Sequence, residues 1–311
     1  MALNDLQERY ECGDLVSVTV KSTGDSIQGR LHAIHKGKIV LLVPDRRRAG
    51  YQSARILDIS SVKSVVPGTP DVVHSSYRFK RPLSNTDKRE RPESITHRNW
   101  EKRQFLFGIF DEGIQLDEES WYSVTPEPIA RHIASRLQSK SRHNAHGQPK
   151  LILDCCCGVG GNAIAFAHHD YVIGIDNQVN KLRMASHNAS LYGVHQYLEL
   201  LAGDCMKVMG TMPDNYVDFT FLSPPWGGPA YQSIDNFSII DNIQVGEANG
   251  KQLFQEADRV SRSGVVYFLP KSVTSDTVTN ELELEQFEIE THFVHGREFT
   301  TCIYFGQFFR C

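Results

Sequence analysis

The sequence predicts an α/β fold with a doubly wound, seven-stranded sheet, preceded by a small all-β barrel. Strand-like and helix-like runs alternate from Lys150 onward, which is typical of a parallel sheet covered on both faces. A glycine-rich turn follows the first of these strands, and acidic residues end or follow the next two, as in sheets that bind a ligand at one edge. Residues 1–70 instead carry short Val- and Ile-rich runs separated by turn signals.

The composition excludes several classes of protein. With 40% hydrophobic and 23% charged residues, the 311-residue chain is neither disordered nor collagen-like, and its length favours two domains. A net charge of -4 argues against a globally basic nucleic-acid coat protein. No apolar run approaches the ~20 residues that span a bilayer, and the start lacks a signal-peptide pattern, so we expect no membrane partner. Seven cysteines without a zinc-type C-x-x-C pair favour reduced thiols.

The first 70 residues are predicted to form a five-stranded barrel. The strand-like runs are Leu15 to Val20, Ile27 to Ile34, Lys38 to Val43 and Ala54 to Val66. The spacing of Gly13, Val16, Val18, Gly24 and Gly29 resembles the first motif of Sm and Sm-like proteins. The following loop lacks the Asp and Asn of RNA-binding Sm rings, so the resemblance implies a pairing module with partners in an Sm ring or the SMN complex. An unrelated SH3-like barrel is an equal alternative.

Three further regions follow the barrel. Pro82, Pro92 and many charges interrupt residues 71–95, which predicts a charged linker. Residues 96–140 are predicted to be a helical cap, in which Thr125 fits an N-cap and Pro126 the first helical position. Residues 150–311 are predicted to be the Rossmann-like domain.

Polar residues follow the first three predicted strands of that domain. The turn from Asp154 to Asn162 contains three glycines, which let a backbone approach a ligand closely. Asp176 ends the second strand, 18 residues after Gly158, where a carboxylate can accept both hydroxyls of a ribose. Asp204 follows the third strand in the same crevice. Each residue alone also fits a tight turn or a helix cap.

The segment Ser223-Pro224-Pro225-Trp226 follows the fourth strand and is the most specific signal. It resembles the motif of S-adenosylmethionine-dependent methyltransferases that act on amino groups. The side chain of Ser223 and the carbonyl of Pro224 can accept the N–H bonds of an amine and direct its lone pair at a methyl group. The two prolines keep the loop rigid, and the indole of Trp226 can stack on a base.

Residues 98–311 resemble the trimethylguanosine synthase family. The segments that carry the resemblance are Phe107 to Gly113, Trp121 to Glu127, Cys157 to Asn162, Ser223 to Pro229 and Val266 to Pro270. The resemblance implies a class I methyltransferase domain that uses S-adenosyl-L-methionine. It further implies conversion of the 7-methylguanosine cap of small nuclear and nucleolar RNAs to a 2,2,7-trimethylguanosine cap. The implied location is the nucleus, in the nucleolus or Cajal body, with the cytoplasm as a second site.

The resemblance also assigns roles to individual residues. The implied cofactor-binding residues are Phe107, Thr125, Asp154, Gly158, Asn162, Asp176 and Asp204. The implied catalytic residues are Ser223, Pro224 and Trp226, and the implied cap-binding residues are Trp226, Pro225, Tyr231, Arg98 and Lys271. No metal is implied. Packing of Phe107 in the core and salt bridges of the two basic residues are the structural alternatives.

Departures from the family pattern are modest. Ala230 stands where many members have Asp, and Cys156 stands where an aromatic residue is usual. Lys271 replaces a common Arg and cannot form its bidentate phosphate contact. Two other functions stay open: methylation of an amine on an internal RNA base, and a non-catalytic role in small ribonucleoprotein assembly. Activity on uncapped RNA would favour the first, and failure to bind the cofactor would favour the second.

Overall fold

A computed structural model describes residues 15–20, 26–35, 38–44, 52–58, 62–67, 72–77, 90–139, 149–228, 234 and 236–306. Before residue 90 it describes the backbone, together with the side chain of Tyr77. Within these ranges, every helix is too short or too polar to cross a membrane.

The strands and helices follow one another in two distinct patterns. The strands are β1 (Leu15–Val20), β2 (Ser26–His35), β3 (Lys38–Pro44), β4 (Gln52–Asp58), β5 (Val62–Pro67), β6 (Val72–Tyr77), β7 (Leu151–Cys155), β8 (Tyr171–Asp176), β9 (Leu198–Ala202), β10 (Val217–Leu222), β11 (Gln244–Val245), β12 (Ala248–Asn249), β13 (Ser261–Pro270), β14 (Glu288–Val294) and β15 (Arg297–Phe305). The helices are α1 (His97–Glu101), α2 (Arg103–Leu106), α3 (Ser120–Ser123), α4 (Glu127–Ser139), α5 (Gly161–Ala167), α6 (Val179–Leu191), α7 (Cys205–Gly210), α8 (Ile239–Asn242), α9 (Gly250–Val260) and α10 (Ser275–Leu282). Single turns of 3₁₀ helix cover Phe110–Glu112 and His195–Tyr197.

The first five strands form an antiparallel sheet in the order β4-β3-β2-β1-β5. Val18 in β1 pairs with Ile27 on one side and Val65 on the other. The run predicted as one strand over residues 54–66 is therefore two strands, because β4 pairs with β3 whereas β5 pairs with β1. Bulges interrupt the ladders beside Thr19 in β1 and between Leu31 and Ala33 in β2, and bulges bend a sheet.

The larger sheet has the order β6-β14-β15-β13-β10-β7-β8-β9. Strands β13, β10, β7, β8 and β9 are parallel, and β15 runs antiparallel between β13 and β14. The seven strands that this sheet takes from residue 151 onward confirm the predicted doubly wound α/β sheet. Along β10, Phe219 and Phe221 join one core cluster with Phe166, while Val217 and Leu222 join a second cluster. Both faces of the sheet are therefore buried, as a parallel sheet requires.

The eighth strand corrects the prediction of a linker over residues 71–95. Residues 72–77 form β6, which pairs in parallel with β14 from Ile289 opposite Val72 to Val294 opposite Tyr77. The prediction was wrong for these residues because the charges and prolines further along dominated the local pattern. Their hydrogen-bond partner lies more than 200 residues away in the sequence. Because the two paired strands are so far apart in the sequence, no local periodicity indicates that they will pair.

Candidate active site

Four predicted residues lie at one edge of the large sheet. Asp154 is near the end of β7 and Asp176 ends β8, with Asp154 opposite Gly174 in the register. Asp204 follows β9 by two residues, and Ser223 directly follows β10. Because β10, β7, β8 and β9 are adjacent and parallel, these side chains share the carboxyl edge where such sheets bind ligands.

The glycine turn after β7 is held by Asp176. One carboxylate oxygen accepts a hydrogen bond from the backbone N–H of Gly158 at 2.9 Å, and the other accepts from Gln178 N–H at 2.8 Å. Gly158 and Gly160 have φ values of 56° and 91°, a region that favours glycine. A carboxylate has about four lone-pair positions, so Asp176 keeps acceptor capacity for the two hydroxyls of a ribose.

Asp154 is the strongest indication that the edge holds a cationic or N–H-rich ligand. Its side chain is fully buried, and neither oxygen has a hydrogen-bond partner of normal geometry among the described residues. Burial and then the nearby charge of Asp176 raise the pKa of Asp154 well above its usual range, and the N–H of Ala163 offsets only part of this. An unsatisfied buried carboxyl demands an explanation, and a bound group with N–H or O–H donors would supply the missing partners, as the predicted cofactor role of this residue requires.

Thr125 and Asn162 form a polar pair beside the glycine turn. The amide nitrogen of Asn162 donates to Thr125 Oγ1 at 2.8 Å, while Asn162 Oδ1 is buried without a partner in the described part of the chain. A Cβ added at Gly161 would lie 2.7 Å from Val124 Cγ2 and 3.4 Å from the Thr125 carbonyl. The segment before α4 is therefore packed directly onto the turn. The donor and acceptor set at this edge fits the cofactor that the sequence predicts.

Phe107 and Asp204 have clear structural roles, and their assignment to the cofactor pocket stays a prediction. Phe107 is 2% exposed, and its ring centroid lies 6.2 Å from that of Tyr192. Asp204 is the N-cap of α7 and accepts from Met206 N–H at 2.9 Å. Its other oxygen faces the turn at Gly246, where a Cβ would approach to 2.5 Å.

The loop after β10 is tied to the glycine turn. Ser223 N–H donates to the Cys155 carbonyl, and Ser223 Oγ donates to the Cys156 carbonyl, both at 3.4 Å. Donation to Cys156 leaves the hydroxyl oxygen of Ser223 able to accept from a substrate amine. Pro224 is buried and Pro225 is exposed. Ser223, a predicted amine contact, is therefore held against the same turn that Asp176 holds.

Trp226 is half-buried and rests on an aromatic residue that the sequence reading did not single out. Its ring stacks on Phe268 with a centroid distance of 5.4 Å and an interplanar angle of 28°. Phe268 lies in β13, the parallel neighbour of β10, which explains why the two residues meet. The only sequence signal was its place in the segment from Val266 to Pro270. Stacking on one face orients the indole so that a base can stack on the other.

Glu127 is a second residue that the sequence reading missed. Its carboxylate accepts hydrogen bonds from Gly108 N–H and from Tyr192 Oη, the latter at 2.7 Å. Burial alone would raise the pKa of Glu127, but these donors and Arg131 hold it below its usual range. The residue joins the segment after α2 to the end of α6. Its sequence signal was the position after Thr125-Pro126, which indicates only a helix start.

The remaining predicted cap-binding residues lie on different parts of the chain. Lys271 is exposed and directly follows β13, so it lies at the same sheet edge as the Ser223 loop. Arg98 is exposed on α1 and is close enough to Lys102 to help desolvation lower the pKa of that lysine. Tyr231 lies outside the described residues.

Comparison with known proteins identifies the family of the chain. A family model described as RNA cap guanine-N2 methyltransferase matches residues 149–307, about half of the chain. Trimethylguanosine synthase of Schizosaccharomyces pombe is 35% identical over 212 residues, which cover 67% of this chain and 84% of that protein. Trimethylguanosine synthase of Saccharomyces cerevisiae is 33% identical over 55% of this chain and 56% of that protein. The chain therefore belongs to the RNA cap guanine-N2 methyltransferases and is an S-adenosylmethionine-dependent enzyme that methylates RNA caps.

Proposed function

We propose that the enzyme converts the 7-methylguanosine cap of small nuclear and small nucleolar RNAs to the 2,2,7-trimethylguanosine cap. The observation that carries the proposal is the loop from Ser223 to Trp226, which lies at the sheet edge beside Asp154 and Asp176. It combines amine acceptors with a stacked indole. The same edge therefore offers a cofactor site and a base site next to each other.

In the proposed mechanism the protein binds and orients the two reactants. Ser223 Oγ and the Pro224 carbonyl accept the N–H bonds of the guanine N2 amine, so that its lone pair points toward the cofactor edge. Bound S-adenosylmethionine supplies an electrophilic methyl group on a cationic sulfur. No strong base is required, because the amine can lose its proton during or after the attack. Positioning of this kind is the main source of rate that these residues provide.

Trp226 is the proposed source of specificity for the methylated cap. A guanine methylated at N7 carries a positive charge, and a cation over an indole gains about 1–2 kcal/mol when it is desolvated. That corresponds to roughly a 5- to 30-fold preference over unmethylated guanine. Phe268 behind the indole keeps its plane in one orientation. Lys271 and Arg98 are the proposed contacts to the cap phosphates.

Methyl transfer from labelled S-adenosylmethionine tests the proposal. Three substrates share one RNA sequence: the first carries a 7-methylguanosine cap, the second a guanosine cap, and the third no cap. The enzymes are the wild type, Trp226→Ala and Trp226→Phe. We expect dimethyl and trimethyl caps from the first RNA only, a severe loss in Trp226→Ala and partial retention in Trp226→Phe. Transfer to the uncapped RNA would refute the cap assignment. Equal activity of both variants would refute the stacking role.

We further propose that residues 1–70 form the Sm-like barrel and recruit the enzyme to Sm-ring particles or the SMN complex in the nucleus. Five antiparallel strands with two bulged ladders support a small bent barrel. Co-purification of the full chain with Sm or SMN components tests this proposal. The comparison chain should begin at residue 71, because β6 belongs to the methyltransferase sheet. The proposal would be contradicted if the full chain did not co-purify with these components, or if the shorter chain still did.

A further inference from the structure

A buried asparagine on α6 contacts both the glycine turn and the segment before α3. The side chain of Asn188 is fully buried, and its amide makes three hydrogen bonds. The amide nitrogen donates to the carbonyls of Gln115 at 3.0 Å and Val159 at 3.1 Å. The amide oxygen accepts from Gln115 N–H at 2.8 Å. Asn188 therefore connects two backbone segments that belong to different parts of the fold.

The bond to Val159 lies in the middle of the glycine turn. Val159 stands between Gly158, whose N–H donates to Asp176, and Gly160, whose φ is 91°. Val159 itself is buried, and a buried carbonyl without a partner costs about as much as a lost hydrogen bond. Asp176 thus holds the turn through an N–H group, and Asn188 holds it through a carbonyl.

The surface of α6 around Asn188 packs directly on the turn. Ala185 precedes Asn188 by three residues, so the two side chains lie on one face of the helix. A Cβ added at Gly160 would lie 3.2 Å from Ala185 Cβ and 3.4 Å from Ala185 Cα. Both Ala185 and Asn188 are fully buried. The turn is therefore in van der Waals contact with the helix at the point where the hydrogen bond to Val159 forms.

The same helix also holds the segment before α3 through two other side chains. A ring nitrogen of His187 lies 3.0 Å from the Gly113 carbonyl oxygen, and Lys181 Nζ lies 2.7 Å from a carboxylate oxygen of Glu119. His187 is exposed. Its hydrogen bond reaches the segment that Asn188 also holds, but not the glycine turn. His187 is therefore a matched control for the contact that Asn188 makes with the turn.

We propose that Asn188 is a positioning residue for S-adenosylmethionine, which acts by holding the Val159 carbonyl and with it the backbone of the glycine turn. The inference rests on the predicted role of this turn in cofactor binding, and it holds for any amine substrate. A turn that keeps its shape before the ligand arrives loses less conformational entropy on binding. The expected signature is weaker binding of the cofactor with unchanged binding of the cap.

Calorimetric titration of the full chain with S-adenosylmethionine tests the proposal. We expect Asn188→Ala to raise the Kd about 10-fold, because binding must then order a turn whose buried carbonyl has lost its partner. The control His187→Ala should change the Kd less than about two-fold, since the turn keeps its contact. Quenching of tryptophan fluorescence by 7-methylguanosine diphosphate should give the same cap affinity in both variants as in the wild type.

Hydrogen exchange of the cofactor-free enzyme gives a second measurement. A peptide that covers residues 157–161 should exchange faster in Asn188→Ala than in the wild type, because the hydrogen-bonded N–H groups of Gly158 and Gly160 lie in the loosened turn. The same peptide should be unchanged in His187→Ala. If Asn188→Ala does not fold, Asn188→Asp replaces it. The carboxylate keeps an acceptor for Gln115 N–H and, when ionised, has no donor for Val159.

Three results would overturn the inference. An unchanged cofactor Kd in Asn188→Ala, even with a lower Tm, would show that Asn188 stabilises the fold alone. An equal loss in His187→Ala would assign the effect to the segment before α3. An equal loss of cap and cofactor affinity would indicate a general distortion. The titration contains no RNA, so a wild-type enzyme that binds the cofactor but ignores capped RNA would refute only the proposed function.

Discussion

Replacement of Arg136 by alanine should destabilise the methyltransferase region by about 3–5 kcal/mol. Arg136 lies on α4, and its Nη1 is 2.7 Å from a carboxylate oxygen of Glu290 on β14. Its other terminal nitrogen bonds to Glu288 on the same strand. The Glu290 side chain is fully buried, and Glu288 is 3% exposed. This cluster fastens the helical segment before the sheet to the last strands.

The magnitude follows from the charge that the substitution would leave behind. Burial alone would raise the pKa of Glu290, but Arg136 and the neighbouring histidines hold it well below its usual range. Glu290 is therefore ionised at neutral pH, and removal of the guanidinium leaves two carboxylates in a site of low dielectric. Loss of the contact over the ring of Tyr304, 3.9 Å from its centroid, adds roughly 1 kcal/mol.

Urea unfolding at pH 7, followed by tryptophan fluorescence, measures this loss. The chain's three tryptophans, Trp100, Trp121 and Trp226, all report on the methyltransferase region. Arg131→Ala is the matched control, because Arg131 pairs with Glu127 on the same helix at 2.6 Å but is 53% exposed. Its loss should cost about 0.5 kcal/mol or less. If Arg136→Ala cost no more than this control, the reasoning from buried charge would be refuted.

Three further predictions concern the cofactor edge, pH and packing. Asp176→Asn should weaken S-adenosylmethionine binding about 10- to 100-fold in a calorimetric titration, because the amide replaces one charged acceptor by a donor; unchanged affinity would exclude the ribose role. Burial lowers the pKa of His292 from 6.5 to about 4, so the unfolded state alone takes up this proton between those values and stability should fall as pH decreases through that window. In His292→Asn the urea midpoint should fall less steeply as the pH decreases from 6.5 to about 4. An equally steep fall in this variant would show that His292 does not cause the pH dependence. Gly250→Ala should lower Tm by several degrees, because its Cβ would lie 2.3 Å from the Ile239 carbonyl oxygen; an unchanged Tm would show that α8 can shift.

Much of the active site was predictable because its signals are local. Asp154, Asp176, Asp204 and Ser223 each follow a short apolar run, and alternating strands and helices place such positions at one sheet edge. The structure places all four residues at that edge, and their roles toward cofactor and substrate stay predictions. The sequence offered both a ligand contact and a helix cap for Asp204; the structure shows the cap, and the ligand contact stays a prediction.

The sequence by itself determined the doubly wound fold, the acidic residues at the strand ends and the Ser223 loop, because each depends on neighbours within one or two elements. Only the tertiary structure decided that β6 joins the large sheet, that Phe268 supports Trp226, and that Arg136 links α4 to β14. Arg136 and Glu290 are 154 residues apart in the sequence. Contacts of this range arise from the packing of completed elements, and a single glutamate or arginine carries no local mark of the partner that it will meet.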